Sequence, residues 1–263
     1  MAKLWLTHWL VNKVRPVRRP VRTKIVRGRF RPQVEALGER VLPAVTATFS
    51  AADGMLTVLG DDQDNTVVVS RDAGGTILVN GGAVAIQGGP ATVANTRLIF
   101  LNGGAGNDTL SLSEASGALP AASISGGDGN DVLIGGSGSD LINGGRGNDT
   151  AFLGAGDDTF VWNPGDGSDT VEGQDGQDKM IFNGANIAEK IDISANGHRV
   201  RFTRDVATIT MDLNGVEDID FNALGGADSI TVHNLAGTDV TQVNLNLNSS
   251  AGTPDGEIGR AHV

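Results

Sequence analysis

Seven aspartates close short glycine-rich segments in the middle of the chain. The segments read GGAGND (103–108), GGDGND (126–131), GGSGSD (135–140), GGRGND (144–149), LGAGDD (153–158), PGDGSD (164–169) and GQDGQD (173–178). Their terminal residues, Asp108, Asp131, Asp140, Asp149, Asp158, Asp169 and Asp178, are spaced 23, 9, 9, 9, 11 and 9 apart. A carboxylate is a hard oxygen donor, and glycine allows positive φ and close approach of backbone carbonyls. Together they can hold a hard cation. Ca²⁺ takes about 6–8 oxygen ligands in a tolerant geometry, whereas Mg²⁺ demands a strict octahedron. Zn²⁺ prefers His or Cys, and the segments contain neither. Ca²⁺ is the cation that fits.

The elements between the aspartates must stack them. Two positions after each stands an apolar residue: Leu110, Leu133, Ile142, Ala151, Phe160, Val171 and Met180. In a strand, where side chains alternate with period two, that residue points into a core. Nine residues then make one strand and one turn, and two such units make a coil of 18. Turns fall alternately on two edges, placing Asp131 over Asp149 and Asp140 over Asp158. Stacked carboxylates repel unless neutralised, which again calls for a cation. A metal-free solenoid with Asp/Gly turns remains the alternative.

This pattern, GGxGxDxUx with U apolar, resembles the RTX (hemolysin-type calcium-binding repeat) family. The resemblance implies an all-β chain: a parallel β-roll, or β-solenoid, of nonapeptides with calcium between successive turns of one edge, flanked by further β-strands. Residue by residue it implies Asp131, Asp140, Asp149, Asp158, Asp169 and Asp178 as ligands. Backbone carbonyls would come from Gly127, Gly129, Gly136, Gly138, Gly145, Gly147 and Gly156, with about four sites if every pair of loops forms. Asp108 joins the candidates, although a Ser/Ala-rich excursion separates it from Asp131. Leu153, Pro164 and Gln174 depart from the glycines of the pattern, and the spacing of 11 puts the pairing across Trp162–Asn163 in question. Asn65 in GDDQDNT and Asp228 in LGGADSI read as structural turns.

Composition supports an ordered acidic body. Of 38 glycines, 19 fall between residues 102 and 178, in fixed order with Asp and Asn rather than with Ser as in a flexible linker. Residues 1–45 carry 11 Lys/Arg against Glu35 and Glu39, a net of +9; the whole chain is −11, so residues 46–263 carry −20. Such a body suits a cation and excludes nucleic acid as a partner. Cys is absent, so no disulfide framework exists. HExxH, GxSxG, a phosphate loop and an EF-hand loop are also absent, and the expectation is a protein that is not an enzyme.

The ends and flanks complete the domain plan. Leu4–Val11 is too short to span a bilayer, and the basic block follows it rather than precedes it. Residues 30–44, FRPQVEALGERVLPA, resemble the segment that opens many surface and secreted proteins of planctomycete-type bacteria; this implies an export leader at 1–45. The roll is expected at 102–182. Residues 46–101 and 183–250 read as flanking strands, with Asn196-Gly197 marking a hairpin. Arg199, Arg201 and Arg204 read as solvated charge on a strand edge, and His198 and His233 as strand-surface residues. Residues 251–263 read as a disordered end. Glu257–Val263 matches a translated sequencing-adapter string, so the natural chain is expected to continue past Gly256. The expected function is calcium binding by a secreted or surface module that folds on the metal. The alternatives are a calcium-dependent adhesin with a cell-surface or glycan partner, and the non-catalytic part of a secreted hydrolase.

Overall fold

The computed structural model describes residues 44–249 and 260–262. Residues 1–43, which hold all of the export segment but Ala44 and all but two residues of the leader, lie outside these, as does 250–259. The first strands are β1 (Thr46–Ser50), β2 (Met55–Leu59), β3 (Thr66–Arg71), β4 (Ile77–Val79) and β5 (Ile86–Gln87). The glycine-rich middle contributes β6 (Leu98–Ala105), β7 (Thr109–Ser113), β8 (Ala122–Asp128), β9 (Val132–Ile134), β10 (Leu141–Arg146), β11 (Thr150–Ala155), β12 (Thr159–Trp162), β13 (Thr170–Asp175) and β14 (Lys179–Asn183). After it come β15 (Lys190–Asn196), β16 (Arg199–Arg204), β17 (Ile209–Asn214), β18 (Asp218–Leu224), β19 (Ser229–Val232), β20 (Gln242–Ser249) and β21 (Arg260–His262).

These strands form two sheets, and from β6 to β15 successive strands alternate between them. One runs β20-β18-β14-β12-β10-β8-β6-β2-β1-β5, the other β21-β19-β15-β16-β17-β13-β11-β9-β7-β3-β4. Through the glycine-rich middle every neighbour is parallel, so the chain winds as a β-solenoid. Leu141 pairs with both Ser123 and Thr159, a coil of 18 residues. The flanking strands join the same two sheets: β2 pairs in parallel with β6, and β14 with β18. Among the described strands, antiparallel pairing is local, at β1–β2, β3–β4 and β15–β16–β17. The hairpin expected at Asn196-Gly197 forms, with Gly197 at φ 69°.

Period-two alternation sends one row of each strand inward. Leu110, Leu133, Ile142, Ala151, Phe160, Val171 and Met180 are all fully buried. At the later coils the aliphatic core gives way to aromatic rings: Trp162 stacks on Phe182 at 4.0 Å, and Phe202 and Phe221 pack beside it. Among the described residues no helix is long and apolar enough to cross a membrane.

The arginine stripe is corrected by the structure. Arg201 is exposed, and Arg199 is half-buried between Glu172 and Asp212, each at 2.7 Å. Arg204 points inward with Val200 and Phe202 and is buried. Strand parity separates Arg204 from the other two, a distinction that a stripe of like charge conceals. His198 sits in the hairpin turn rather than on a strand, and its Nδ1 contacts the carbonyl of Gly237 at 3.0 Å. The exposed His233 ring lies 2.7 Å from Asp192.

Candidate metal centre

Each coil presents one turn on each of two edges. The segments 60–65, 103–108, 126–131, 144–149 and 164–169 line the first edge, leading from the first sheet to the second. The segments 135–140, 153–158 and 173–178 line the other. Along each edge the acidic residues are wired together. On the first, the amides of Asn65, Asp108, Asp131 and Asp149 donate to Oδ1 of Asp108, Asp131, Asp149 and Asp169, at 2.6, 2.7, 2.8 and 3.0 Å. On the second, Ala122, Asp140 and Asp158 donate to Oδ1 of Asp140, Asp158 and Asp178, at 2.6, 2.7 and 2.9 Å. The second column ends with the amide of Asp178 on Oε2 of Glu217, at 2.7 Å.

Two of the sequence expectations are sharpened here. Asp108 belongs to the column despite the spacing of 23, because residues 114–121 connect β7 and β8 without breaking the stack of β6 on β8. Asp149 and Asp169 stay in register across Trp162–Asn163: the two extra residues are taken up in a turn closed by the Asp166 amide on the Asn163 carbonyl, at 2.9 Å.

One carboxylate oxygen is thus spent in the ladder, and the other decides the chemistry. Oδ2 of Asp108, Asp131, Asp149, Asp158, Asp169 and Asp178 is buried and has no hydrogen-bond partner. A buried ionised carboxylate without a partner costs several kcal/mol, of order 2–7 for even a neutral polar group. Burial is the main cause that pushes these acids up, partly offset by the ladder amide and reinforced by nearby carboxylates: Asp108 beside Asp131, Asp131 beside Asp149, Asp140 beside Asp158, Asp149 beside Asp169, and Glu217 beside Asp178. Asp131 and Asp178 rise to about 6, Asp149 and Asp158 to about 7, and Asp169 to about 8. Asp108 is also raised. Such groups must hold a proton or meet a cation.

The surrounding backbone is bare. The carbonyl oxygens of Gly127 and Gly129 lie where a Cβ on Gly145 or Gly147 would come within 2.2 and 1.8 Å, and both positions have positive φ. Only glycine permits that approach. Where a segment opens with glycine, at Gly103, Gly126, Gly135, Gly144 and Gly173, that residue does something different: it lacks positive φ, and it leaves room for the carboxylate. A Cβ on Gly126 would lie 2.1 Å from Asp131 Oδ2, and one on Gly144 2.2 Å from Asp149 Oδ2. Gly104, Gly106 and Gly154 share the geometry of Gly127, Gly129 and Gly156, and they join the candidate carbonyl donors. Their places as second and fourth residues of their segments were the available signal.

Asp140 stands apart. Its Oδ2 accepts the Gly136 amide at 2.8 Å, so both its oxygens are held by backbone. Gly136 and Gly138 face Glu114 and Ala121 of the excursion rather than a preceding glycine loop, and neither takes positive φ.

No group of three or more acidic or His side chains converges among the described residues. A cation at these turns would therefore draw most of its ligands from backbone carbonyls, with one carboxylate from each turn. Among known sequence families, a model of the RTX calcium-binding nonapeptide repeat, in four copies, matches residues 100–114, 125–160 and 165–186. The chain carries RTX-type calcium-binding repeats. The matched RTX segments contain every one of the seven aspartates and skip the excursion before Ala122 and the insertion near Asn163. The RTX nonapeptide is a structural motif, not a catalytic one. No curated protein and no solved structure matches the chain. The buried, partnerless carboxylate oxygens beside closely approaching glycine carbonyls are a donor set that fits Ca²⁺, and the RTX repeats supply the same oxygen chemistry.

Proposed function

We propose that residues 102–182 form a calcium-dependent structural module that assembles when Ca²⁺ enters the two edge columns, and that the protein works outside the cell. The observation that carries this is the set of six buried Oδ2 atoms without a partner. Asp108, Asp131, Asp149 and Asp169 would hold calcium on the first edge, and Asp158 and Asp178 on the second. The carbonyls of Gly104, Gly106, Gly127, Gly129, Gly145 and Gly147 would complete the sites on the first edge. A bound Ca²⁺ supplies charge neutralisation and cross-links successive coils. Without it, the like charges of each column and the conformational entropy of the glycines oppose the coil. Binding energy then becomes folding energy. Calcium modules tuned to the outside of cells bind at about 10⁻⁴–10⁻³ M, which would keep this chain loose until export.

The test is a far-UV circular dichroism titration of the full chain from chelator into Ca²⁺, with Mg²⁺ as control. A cooperative gain of β signal with Ca²⁺ alone is expected. An equal β signal in chelator would overturn the proposal.

A further inference from the structure

The turn after β14 repeats the geometry of the metal-candidate turns with different residues. Gly184–Glu189, reading GANIAE, leads from the first sheet to the second on the same edge as Asp131 and Asp149. Glu189 stands where the aspartate stands elsewhere. Its amide donates to Asp228 Oδ1 at 3.0 Å, as the Asp131 amide donates to Asp149 Oδ1. Its carbonyl accepts the amide of the next coil's Ser229 at 2.8 Å, as that of Asp131 accepts Thr150. Its carboxylate lies over the first glycine, where a Cβ on Gly184 would come 2.4 Å from Oε2.

What differs is the carboxylate's partner. Glu189 Oε2 accepts the Ala185 amide at 3.1 Å, and Oε1 is held by the Arg204 guanidinium. The side chains are 0% and 4% exposed, so this is a dry ion pair. The guanidinium also lies 5.3 Å from the centre of the Trp162 ring, within cation–π range. Trp162 ends the strand that leads into the 164–169 turn, and its Nε1 donates to the Gly167 carbonyl at 2.7 Å. Arg204 therefore touches two successive coils of the first edge. It is carried there on β16, which with β17 is inserted in the second sheet between β13 of the Asp169 coil and β15 of the Glu189 coil.

We propose that the Arg204 guanidinium is a built-in cation that takes the place of a metal ion at the Gly184–Glu189 turn, so that this turn closes without metal where the aspartate turns require it. The comparison with the aspartate turns rests on the function proposed above. The exchange at Glu189 itself stands on the ion pair. It follows that this turn is a latent calcium site, opened by removing the guanidinium and leaving an acid over a glycine.

The experiment compares wild type, Arg204→Met and the double variant Glu189→Gln/Arg204→Met, all as full chains. Bound calcium is counted by equilibrium dialysis, and melting is followed in chelator, Ca²⁺ and Mg²⁺. Arg204→Met should bind one calcium more than wild type, melt lower in chelator, and recover in Ca²⁺ but not in Mg²⁺. The double variant should bind the wild-type number and show no extra calcium rescue. An unchanged count with an equal melting deficit in Ca²⁺ and chelator would overturn the proposal. So would an Arg204→Met chain that fails to fold in either condition while the double variant folds, since calcium would then be unable to replace the guanidinium. The wild-type count tests the aspartate turns separately: zero in wild type and one in Arg204→Met would sink the calcium module and keep the exchange at Glu189.

Discussion

The turn at Asp149 and the turn at Glu189 share one backbone plan and solve one electrostatic problem in two ways. Both bring an acid over a glycine on the same edge and tie it to its neighbour through an amide-to-carboxylate hydrogen bond. At Asp149 the second oxygen is buried and without a partner. At Glu189 it is fastened to the backbone, and an arginine neutralises the charge. A solenoid coil thus specifies where negative charge gathers, and the local sequence decides whether the counter-charge is tethered or free to diffuse. A tethered cation is present in every compartment, whereas a diffusing one makes the fold report on its surroundings.

Breaking the tethered side should have the largest effect. Glu189→Gln leaves Arg204 buried without its carboxylate, and losing one partner of a buried pair costs about 3–5 kcal/mol. The loss should appear equally in chelator and in calcium when denaturant melts are compared. The next effect is one of opposite signs at Asp149. Asn keeps the acceptor for the Asp131 amide and removes the charge, so Asp149→Asn should stabilise the metal-free chain by about 1–3 kcal/mol. The same change should weaken calcium binding at least tenfold, or about 1.4 kcal/mol, read as a shifted calcium midpoint. A variant destabilised in both conditions would show that Asp149 is merely structural.

Proton concentration sharpens the contrast further. Asp149, Asp158 and Asp169 are raised in the folded, metal-free chain to about 7, 7 and 8 from 3.8. The folded state therefore holds protons that the unfolded chain releases, and stability is favoured while those protons stay bound. It is lost progressively as pH rises from about 4, where the unfolded carboxyls give up their protons, and the loss is complete once pH has passed the folded values of about 7 to 8. Melts in chelator should fall between pH 5 and pH 8.5, and saturating calcium should abolish that trend. The smallest effect belongs to Asp140, whose two oxygens already have amide donors. Asp140→Asn should move the calcium midpoint by less than the Asp149 change does, in the same titration.

The repeat was legible because spacing and parity act together. The 18-residue separation of Asp131 and Asp149 and the apolar residue two places on dictate coil length and inward face, and the register follows. The spacing of 11 near Asn163 puts the pairing there in question, but a turn absorbs the two extra residues and leaves β12 and β14 side by side. Glu189 is not legible in the sequence, because GANIAE keeps only one glycine and replaces Asp by a longer acid. Its counter-charge was hidden for another reason: Arg204 is 15 residues away and reaches Glu189 only once the hairpin has folded. Which carboxylate oxygen lacks a partner is likewise a property of the stack, since the ladder donor of Asp131 comes from Asp108, 23 residues earlier.

The ladder of amides and carboxylates also sets a length. Parallel strands repeat about every 4.8 Å, so the acids of one edge recur at roughly that interval. Two unit charges in water interact with an energy equal to RT at roughly 7 Å. A row of charges closer than this behaves as a short polyelectrolyte, gathering small cations along its length in the way a nucleic-acid backbone does. Each edge of this solenoid would therefore concentrate ions before any single site is complete, and its apparent affinity for calcium would fall with added monovalent salt along a straight line in logarithmic coordinates.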